Sequence, residues 1–288
     1  MEFANTGSSS RVSYARGKIL LIGDSITQQS FSLLHRGWGA GLADWYQRVA
    51  DVINRGYSGY NSRWVRSALT DHILPHDENG EDYLLVTIFL GANDAVLNTC
   101  EGDDVQAGNS NGQHVSVIEY TENISAMVDH VRAVAPRAVV VLITPPVVDS
   151  VQWPNRSIPS ARAYAEAIRA IAAHKQTLVL DLWARTTVTP SAAPPNAASA
   201  GSHGGPDAVG VIEPVELADL HDGLHLGVGG NRKVLVGLQS LIRAQCPALV
   251  PEDSPEGLPN MPLHLPHWSA LAGQSAEDTA RILGEWKW

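Results

Sequence analysis

The chain has 288 residues, of which 44% are hydrophobic and 17% are charged, so it can bury a sizeable core and is not disordered as a whole. Its formal net charge of -10 and its lack of a basic stripe argue against a nucleic-acid partner. No apolar run approaches the roughly 18 residues that span a bilayer, and the N-terminus lacks the apolar centre of a secretory signal. We therefore expect a cytoplasmic protein without a membrane partner.

Short apolar runs, typical of buried strands, recur along the chain as far as residue 182. They occupy residues 18–22, 52–53, 84–90, 138–144 and 177–182. Segments of helical period lie at 38–49, 117–134, 161–174 and 231–245. Alternating strands and helices imply crossover connections and a parallel sheet covered on both faces. The pattern predicts an α/β fold: a single doubly wound three-layer sandwich with a five-stranded parallel sheet.

Composition divides the chain into three parts. We expect a flexible segment at 1–17, the main domain at 18–246, and a proline-rich tail at 247–288. Within the main domain, residues 186–218 form a low-complexity insertion that is richest in small residues, Pro and Gly at 191–210. In the tail, Ser275 and Asp278 predict the capped start of a short final helix that packs on the domain.

The first predicted strand runs directly into Gly23-Asp24-Ser25. Ligands of open parallel sheets bind at the carboxyl ends of the strands, so Ser25 lies where a nucleophile would act. Asp24 and Ser25 would equally serve as a cap for the following helix. Position alone leaves both interpretations open.

Two later turns reach the same edge of the predicted sheet. Gly59 follows the second apolar run, and Asn93 follows the third, within Gly91-Ala92-Asn93-Asp94. The N–H of Gly59 and the side-chain amide of Asn93 can both donate to a developing oxyanion. Each segment is also compatible with an ordinary turn.

A candidate general base lies in the segment 221–225, with the sequence HDGLH. Asp222 and His225 are three residues apart, a spacing that lets a carboxylate orient an imidazole. His221 and His225 are four apart, which on a helix can bind zinc, with Asp222 as a further ligand. Gly223 disfavours a helix, so the metallohydrolase is the weaker alternative, and we expect neither a metal nor an organic cofactor.

Together these blocks resemble the SGNH, or GDS-motif, hydrolase family, because GDSITQ, the Gly59 segment, GAND and DGLH occur in the family's order. The resemblance is closest to the isoamyl-acetate-hydrolysing esterase branch, over about residues 18–185 and 219–246. It implies the following site: Ser25 as nucleophile and oxyanion donor, Gly59 and Asn93 completing the oxyanion hole, and His225 as the base with Asp222 as its partner.

The resemblance also implies an activity: a serine esterase that hydrolyses acetate-type esters of small alcohols through an acyl-enzyme. Related sites remove acetyl groups from carbohydrates or cleave thioesters and lysophospholipids. A small-ligand-binding protein without turnover is the non-enzymatic alternative. Trp38 and Trp64 are candidate substrate contacts, although such aromatic residues are also typical of cores. The expected partner is a small ester; the oligomeric state stays open, with a homodimer as one option.

Overall fold

The computed structural model describes residues 16–75, 80–98, 112–188, 210–251 and 274–285. In these ranges the strands are β1 Gly17–Gly23, β2 Ala50–Gly56, β3 Tyr83–Phe89, β4 Val139–Ile143, β5 Leu178–Leu180, β6 Thr186–Val188 and β7 Gly210–Ile212. The helices are α1 Ser25–Gln28, α2 Trp38–Trp45, α3 Ser62–Ala68, α4 Val117–Val134, α5 Ile158–Lys175, α6 Val228–Gln245 and α7 Ala276–Glu285. Residues 1–15 of the predicted leading segment, the centre of the insertion and most of the tail lie outside the described residues, while Gly17, which was predicted to belong to the leading segment, begins β1.

Five parallel strands form the main sheet in the order β2-β1-β3-β4-β5. The predicted doubly wound α/β fold is therefore confirmed. Because β1 is flanked by both β2 and β3, the strand order reverses there. In folds of this kind ligands bind at the carboxyl ends of the strands beside such a reversal.

The carboxyl ends of the three strands around this reversal are level. Gly23 of β1 is in register with Gly56 of β2 and with Phe89 of β3. A Cβ atom on Gly56 would lie 2.0 Å from the backbone nitrogen of Gln28, so only glycine lets α1 approach β2 this closely. The loops after the three strands consequently start from one edge of the sheet.

Alternate residues of β1 bury against opposite layers of helices. Ile19 and Leu21 belong to a core with residues of α2 and α6, whereas Leu20 and Ile22 belong to a second core with residues of α3, α4 and α5. All four side chains are fully buried, and each contributes about 1.5–3 kcal/mol relative to an exposed position. The sheet thus forms a rigid central layer on which the edge loops are mounted.

A short antiparallel pair of strands lies beside the main sheet. β6 and β7 pair from Thr186 opposite Ile212 to Val188 opposite Gly210. Val188 and Ile212 are buried in the core that includes α6. These residues lie near the two ends of the predicted insertion at 186–218, and their pairing was not predicted from the sequence.

The final helix begins as expected, since Ser275 Oγ accepts a hydrogen bond of 3.0 Å from the N–H of Asp278. Among the helices in the described part of the chain, none is sufficiently long and apolar to cross a membrane.

Candidate active site

Ser25 lies at the carboxyl end of β1, as the first residue of α1. Asp24 caps this helix, and its Oδ1 accepts a hydrogen bond of 2.9 Å from the N–H of Ile26. Ser25 is only 5% exposed, and its Oγ lies 2.9 Å from Nε2 of His225. The tight turn therefore holds the hydroxyl at the edge of the sheet, in contact with an imidazole.

Asp222 orients that imidazole. Its Oδ2 lies 2.7 Å from Nδ1 of His225, and its Oδ1 accepts from the N–H groups of Leu224 and His225 at 3.0 and 2.8 Å. Burial acts to raise the pKa of Asp222, but the hydrogen bonds from His225 and Leu224 outweigh it, so the net pKa is lowered. An ionised Asp222 keeps the proton of His225 on Nδ1 and leaves Nε2 as the acceptor facing Ser25.

The loop that carries these two residues is closed by a short antiparallel bridge. Leu220 pairs with Leu226, and the N–H of His221 donates to the carbonyl of His225 at 3.0 Å. Gly223 adopts a φ of +81° in the turn, a conformation that favours glycine. The sequence HDGLH therefore forms a tight turn rather than a helix.

Trp153 ties the same loop to the rest of the site. Its indole N–H donates to the backbone carbonyl of Asp222 at 2.9 Å, and its ring lies edge-on to His225, with centroids 6.3 Å apart. The N–H of Asp149 adds a hydrogen bond of 2.7 Å to the carbonyl of Gly223. Trp153 lies in no motif of the sequence and was not predicted to belong to the site.

Gly59 and Asn93 lie on the turns that follow β2 and β3. Gly59 has a φ of +80°, and in the described ranges its N–H donates to no protein group. Asn93 is 3% exposed, and its Nδ2 donates to the carbonyl of Tyr60 at 2.8 Å. An amide carries two N–H bonds, so a second donor of Asn93 stays available. The structure brings both predicted donors to the edge that holds Ser25.

Arg156 fixes the orientation of the Asn93 amide. This arginine is 4% exposed; its Nη2 donates to Oδ1 of Asn93 at 3.1 Å, and its Nε donates to the carbonyl of Ala92 at 3.1 Å. Gln113 donates to the same Oδ1 at 3.3 Å and to the carbonyl of Gly59 at 3.0 Å. With its oxygen held by two donors, Asn93 can present only its N–H groups elsewhere. Sequence reasoning missed both residues, because neither lies in a recognisable motif.

Two buried carboxylates flank these groups. Asp94 accepts from the N–H of Ser62 at 2.9 Å through Oδ1, while its Oδ2 has no partner among the described residues. Burial raises the pKa of Asp24 to about 7 and that of Asp94 to about 6. The nearby charge of Asp94 contributes to the raised pKa of Asp24, and the charge of Arg156 opposes it. These carboxylates therefore take up protons as the pH falls through 7 and 6.

Three histidine rings are stacked at the mouth of the site. His35 lies parallel to His221, with centroids 4.1 Å apart and planes 5° apart, and His221 is stacked on His225 at 5.9 Å and 21°. Burial lowers the pKa of His221, as do His35 and His225, against the opposing charge of Asp222. His35 gave no signal in the sequence, since its partner lies far along the chain.

The two tryptophans proposed as substrate contacts have different surroundings. Trp38 is fully buried in the core, 6.3 Å from the ring of Phe89, and this placement does not support a contact with substrate. Trp64 is half-buried and packs edge-on to Tyr60 at 5.8 Å. Tyr60 and Trp64 line an open groove of about 490 Å³ beside the Gly59 turn.

Within the described ranges, His221, Asp222 and His225 form a cluster that could hold a metal ion. Each offers one ligand atom, and these atoms lie within 4.8 Å of one another. The metallohydrolase alternative invoked a helical spacing, whereas the residues lie in a turn, and His225 already engages Ser25 and Asp222.

Comparison with known proteins decides the family. The profile of the GDSL-like lipase/acylhydrolase family matches residues 21–233, which is more than half of the chain. The chain belongs to this family. It is accordingly a serine ester hydrolase, as the SGNH resemblance of its motifs predicted, and the alternative of a non-catalytic binding protein loses its support.

Curated relatives of this hydrolase cover nearly its whole length. A GDSL esterase/lipase of Arabidopsis thaliana is 35% identical over 90% of this chain and 96% of the relative. The isoamyl acetate-hydrolyzing esterase 1 homolog of Mus musculus is 33% identical over 93% of this chain and 92% of the relative.

A solved structure with a similar fold is that of an acetyl xylan esterase from Geobacillus stearothermophilus, with a TM-score of 0.51. The alignment covers 81% of this chain and 98% of the other, at 17% identity. At that identity the likeness concerns the fold alone.

Proposed function

We propose that this hydrolase cleaves short acyl esters of small alcohols, with Ser25 as the nucleophile, His225 as the general base and Asp222 as the carboxylate that orients it. The observation that carries the proposal is the continuous hydrogen-bonded path from Ser25 Oγ through His225 to Asp222, with distances of 2.9 and 2.7 Å. This is the arrangement by which a weakly acidic hydroxyl becomes a nucleophile near neutral pH.

In the acylation step, Ser25 Oγ attacks the ester carbonyl carbon while its proton moves to Nε2 of His225. The carbon–alkoxy bond then breaks, and the departing alcohol receives the proton from His225. Water attacks the acyl-enzyme by the same route, which releases the acid and restores Ser25. Asp222 stays ionised throughout and stabilises the imidazolium.

The negative charge that develops on the carbonyl oxygen needs donors that are already in place. We assign this role to the N–H groups of Ser25 and Gly59 and to the amide of Asn93, which all lie at the level carboxyl ends of β1, β2 and β3. Because the sheet and Arg156 fix these donors before substrate binds, stabilising the oxyanion costs little reorganisation.

The preference for small esters is supported by the relatives, one of which is named as an isoamyl acetate-hydrolyzing esterase homolog. Ser25 is nearly buried, which suits a small acyl group. In a shallow acyl site, each added methylene that is buried contributes about 0.8 kcal/mol to binding, and methylenes beyond the length of the site contribute nothing.

A second candidate is the removal of acetyl groups from carbohydrates, and the groove beside the Gly59 turn favours it. Tyr60 and Trp64 line this groove with half-exposed aromatic rings, and such rings pack well against the C–H faces of a sugar. Ser67 and Ala68 complete its lining.

Nucleophile identity is tested with a fluorophosphonate probe and with p-nitrophenyl acetate turnover. The probe is expected to label the wild type and Ser58→Ala but not Ser25→Ala; Ser58 is a matched control because it is an exposed serine on a neighbouring turn. Ser25→Ala should keep its circular dichroism spectrum and lose turnover. A Ser25→Ala enzyme that keeps more than about a tenth of wild-type kcat contradicts the assignment.

Substrate class is tested by kcat/KM for p-nitrophenyl esters from acetate to laurate, alongside acetylated xylo-oligosaccharides. We expect the maximum at the short acyl chains. A maximum at octanoate or longer contradicts the proposal, and a higher kcat/KM for the sugar acetates than for any p-nitrophenyl ester favours the second candidate. In that case Trp64→Ala should raise KM for the sugar acetates without changing KM for p-nitrophenyl acetate.

A further inference from the structure

We propose that His221, Asp222 and His225 form a binding site for a transition-metal cation such as Zn²⁺, and that the bound cation switches the esterase off. The metal-binding part stands on the geometry of the three residues. The inhibitory part rests on the function proposed above for His225.

The bridge that closes the loop places the two histidines side by side. His221 and His225 face each other across it, joined by the backbone hydrogen bond of 3.0 Å, and directly opposed residues of an antiparallel pair project from the same face. Their rings are nearly parallel, with centroids 5.9 Å apart, and Asp222 lies in the turn between them. The backbone alone therefore brings the three ligands together.

Coordination requires the ligand atoms to move closer and the His221 ring to rotate. The ligand atoms lie within 4.8 Å of one another, whereas two nitrogen atoms bound tetrahedrally to one zinc ion are about 3.4 Å apart, and the lone pairs of the two nearly parallel rings do not converge on one point. His221 is exposed, so its ring can rotate and is open to a cation from solvent. The parallel ring of His35, 4.1 Å away, supports the other side of His221.

The donor set selects the class of cation. Two imidazoles and one carboxylate suit Zn²⁺ and Cu²⁺ and leave a fourth position for water. Mg²⁺ and Ca²⁺ prefer oxygen ligands and should not compete.

Occupancy of this site interferes with the first chemical step. A neutral imidazole has one lone pair, and that of His225 is the acceptor for the Ser25 proton. A cation that takes this lone pair removes the base. A cation bound between Nδ1 and Asp222 replaces their hydrogen bond and leaves the ring proton on Nε2, with the same result. Inhibition should be reversible, because a chelator can remove the coordinated cation and restore the free imidazole.

Binding is tested first by titrating Zn²⁺ into full-length Ser25→Ala by calorimetry, since this readout does not require turnover. We expect one site, and an affinity at least about tenfold weaker after His221→Phe is added, because the stacked ring remains but its nitrogens are lost. His174→Ala is the matched control, because this exposed histidine lies in the last turn of α5, away from the active edge, and the variant should bind Zn²⁺ like its parent. Unchanged Zn²⁺ affinity in the His221→Phe variant overturns the site.

Inhibition is then measured with p-nitrophenyl acetate. At a Zn²⁺ concentration about ten times the dissociation constant, mass action should leave the wild type with about a tenth of its activity, and EDTA should restore it. His221→Phe should stay active at that concentration, and Mg²⁺ should have no effect. Zn²⁺ binding without loss of activity overturns the inhibitory part. If Ser25 proves not to be the nucleophile, the proposed function fails while the calorimetric result still decides the metal site.

Discussion

The guanidinium of Arg156 donates a hydrogen bond of 3.1 Å to the side-chain oxygen of Asn93, from a position that is 4% exposed. The same guanidinium lies 4.9 Å from the ring of Trp153, whose indole N–H holds the carbonyl of Asp222. A single buried guanidinium thus connects the loop of Asn93, the proposed oxyanion donor, to the loop of His225, the proposed base. Neither loop is positioned on its own.

We expect Asn93→Ala to lower kcat by about 10²–10³ with little change in KM, because a donor aimed at the developing oxyanion acts mainly in the transition state. Steady-state kinetics with p-nitrophenyl acetate measures both constants. A change confined to KM would instead identify Asn93 as a ground-state contact.

Arg156→Lys should lower kcat by about tenfold, since a lysine cannot make the paired hydrogen bonds to Asn93 and Ala92 and a charged hydrogen bond contributes about 1.5–3 kcal/mol. KM should change little, and circular dichroism should verify the fold. Arg162→Lys is the control, because Arg162 is an exposed arginine of α5 stacked on Trp183 and should keep wild-type kinetics.

The double variant shows whether Arg156 acts through Asn93. In the Asn93→Ala background, Arg156→Lys should reduce kcat by less than about twofold further, because the group that it positions is gone. Full additivity of the two single effects on kcat would assign Arg156 a separate role.

Trp153→Phe keeps an aromatic ring beside His225 and removes the indole hydrogen bond to Asp222. A lost hydrogen bond of this kind costs about 0.5–1.5 kcal/mol, so kcat should fall by between about twofold and tenfold. Trp183→Phe is the matched control, because its indole donates to the carbonyl of Pro145 outside the loop of the base. If both variants lose the same fraction of kcat, Trp153 has no specific role in positioning Asp222.

Asp94→Asn should flatten the pH dependence of stability. The folded pKa of Asp94 is raised by burial to about 6 from an ordinary value of 3.8, so the folded state binds more protons than the unfolded state between these values. The contribution of Asp94 to the free energy of unfolding is therefore largest below about pH 4 and is lost as the pH rises through 6. Asparagine does not titrate and removes this decline.

The measurement is urea unfolding at pH 4 to 8, followed by circular dichroism. The stability of Asp94→Asn relative to wild type should rise by up to a few kcal/mol across this range. Asp44→Asn is the control, because Asp44 is an exposed carboxylate of α2. Its stability relative to wild type should stay the same from pH 4 to 8. A constant difference between Asp94→Asn and wild type over the whole range would show that Asp94 is ionised in the fold throughout.

The parts of the site that the sequence predicted are those set by strand ends. Ser25, Gly59 and Asn93 follow apolar runs directly, and a parallel sheet brings the ends of its strands to one edge. Asp222 and His225 are close in sequence, so their contact needs only a turn. Local pattern and topology made these five residues candidates, and the resemblance to the SGNH family assigned their roles; the structure places them at one edge of the sheet.

The supporting residues were not predictable in this way. Arg156 and Trp153 lie in a loop of ordinary composition, and their partners are 63 and 69 residues away. Contacts between loops that are distant in sequence depend on tertiary packing, and no periodic pattern in the sequence indicates them. Trp38 was a candidate substrate contact, but its side chain is fully buried in the core. Its spacing in the sequence is compatible with both positions.

Ser25 and His225 are 200 residues apart, and the loop of His225 is anchored to the first half of the chain through Asn231 of α6, whose Oδ1 accepts from the N–H of Trp38 at 3.2 Å. A nascent chain that has emerged only as far as Asp219 thus holds the proposed nucleophile and the proposed oxyanion donors but not the proposed base. Turnover therefore requires the docking of α6 against α2, so recovery of turnover during refolding reports this docking.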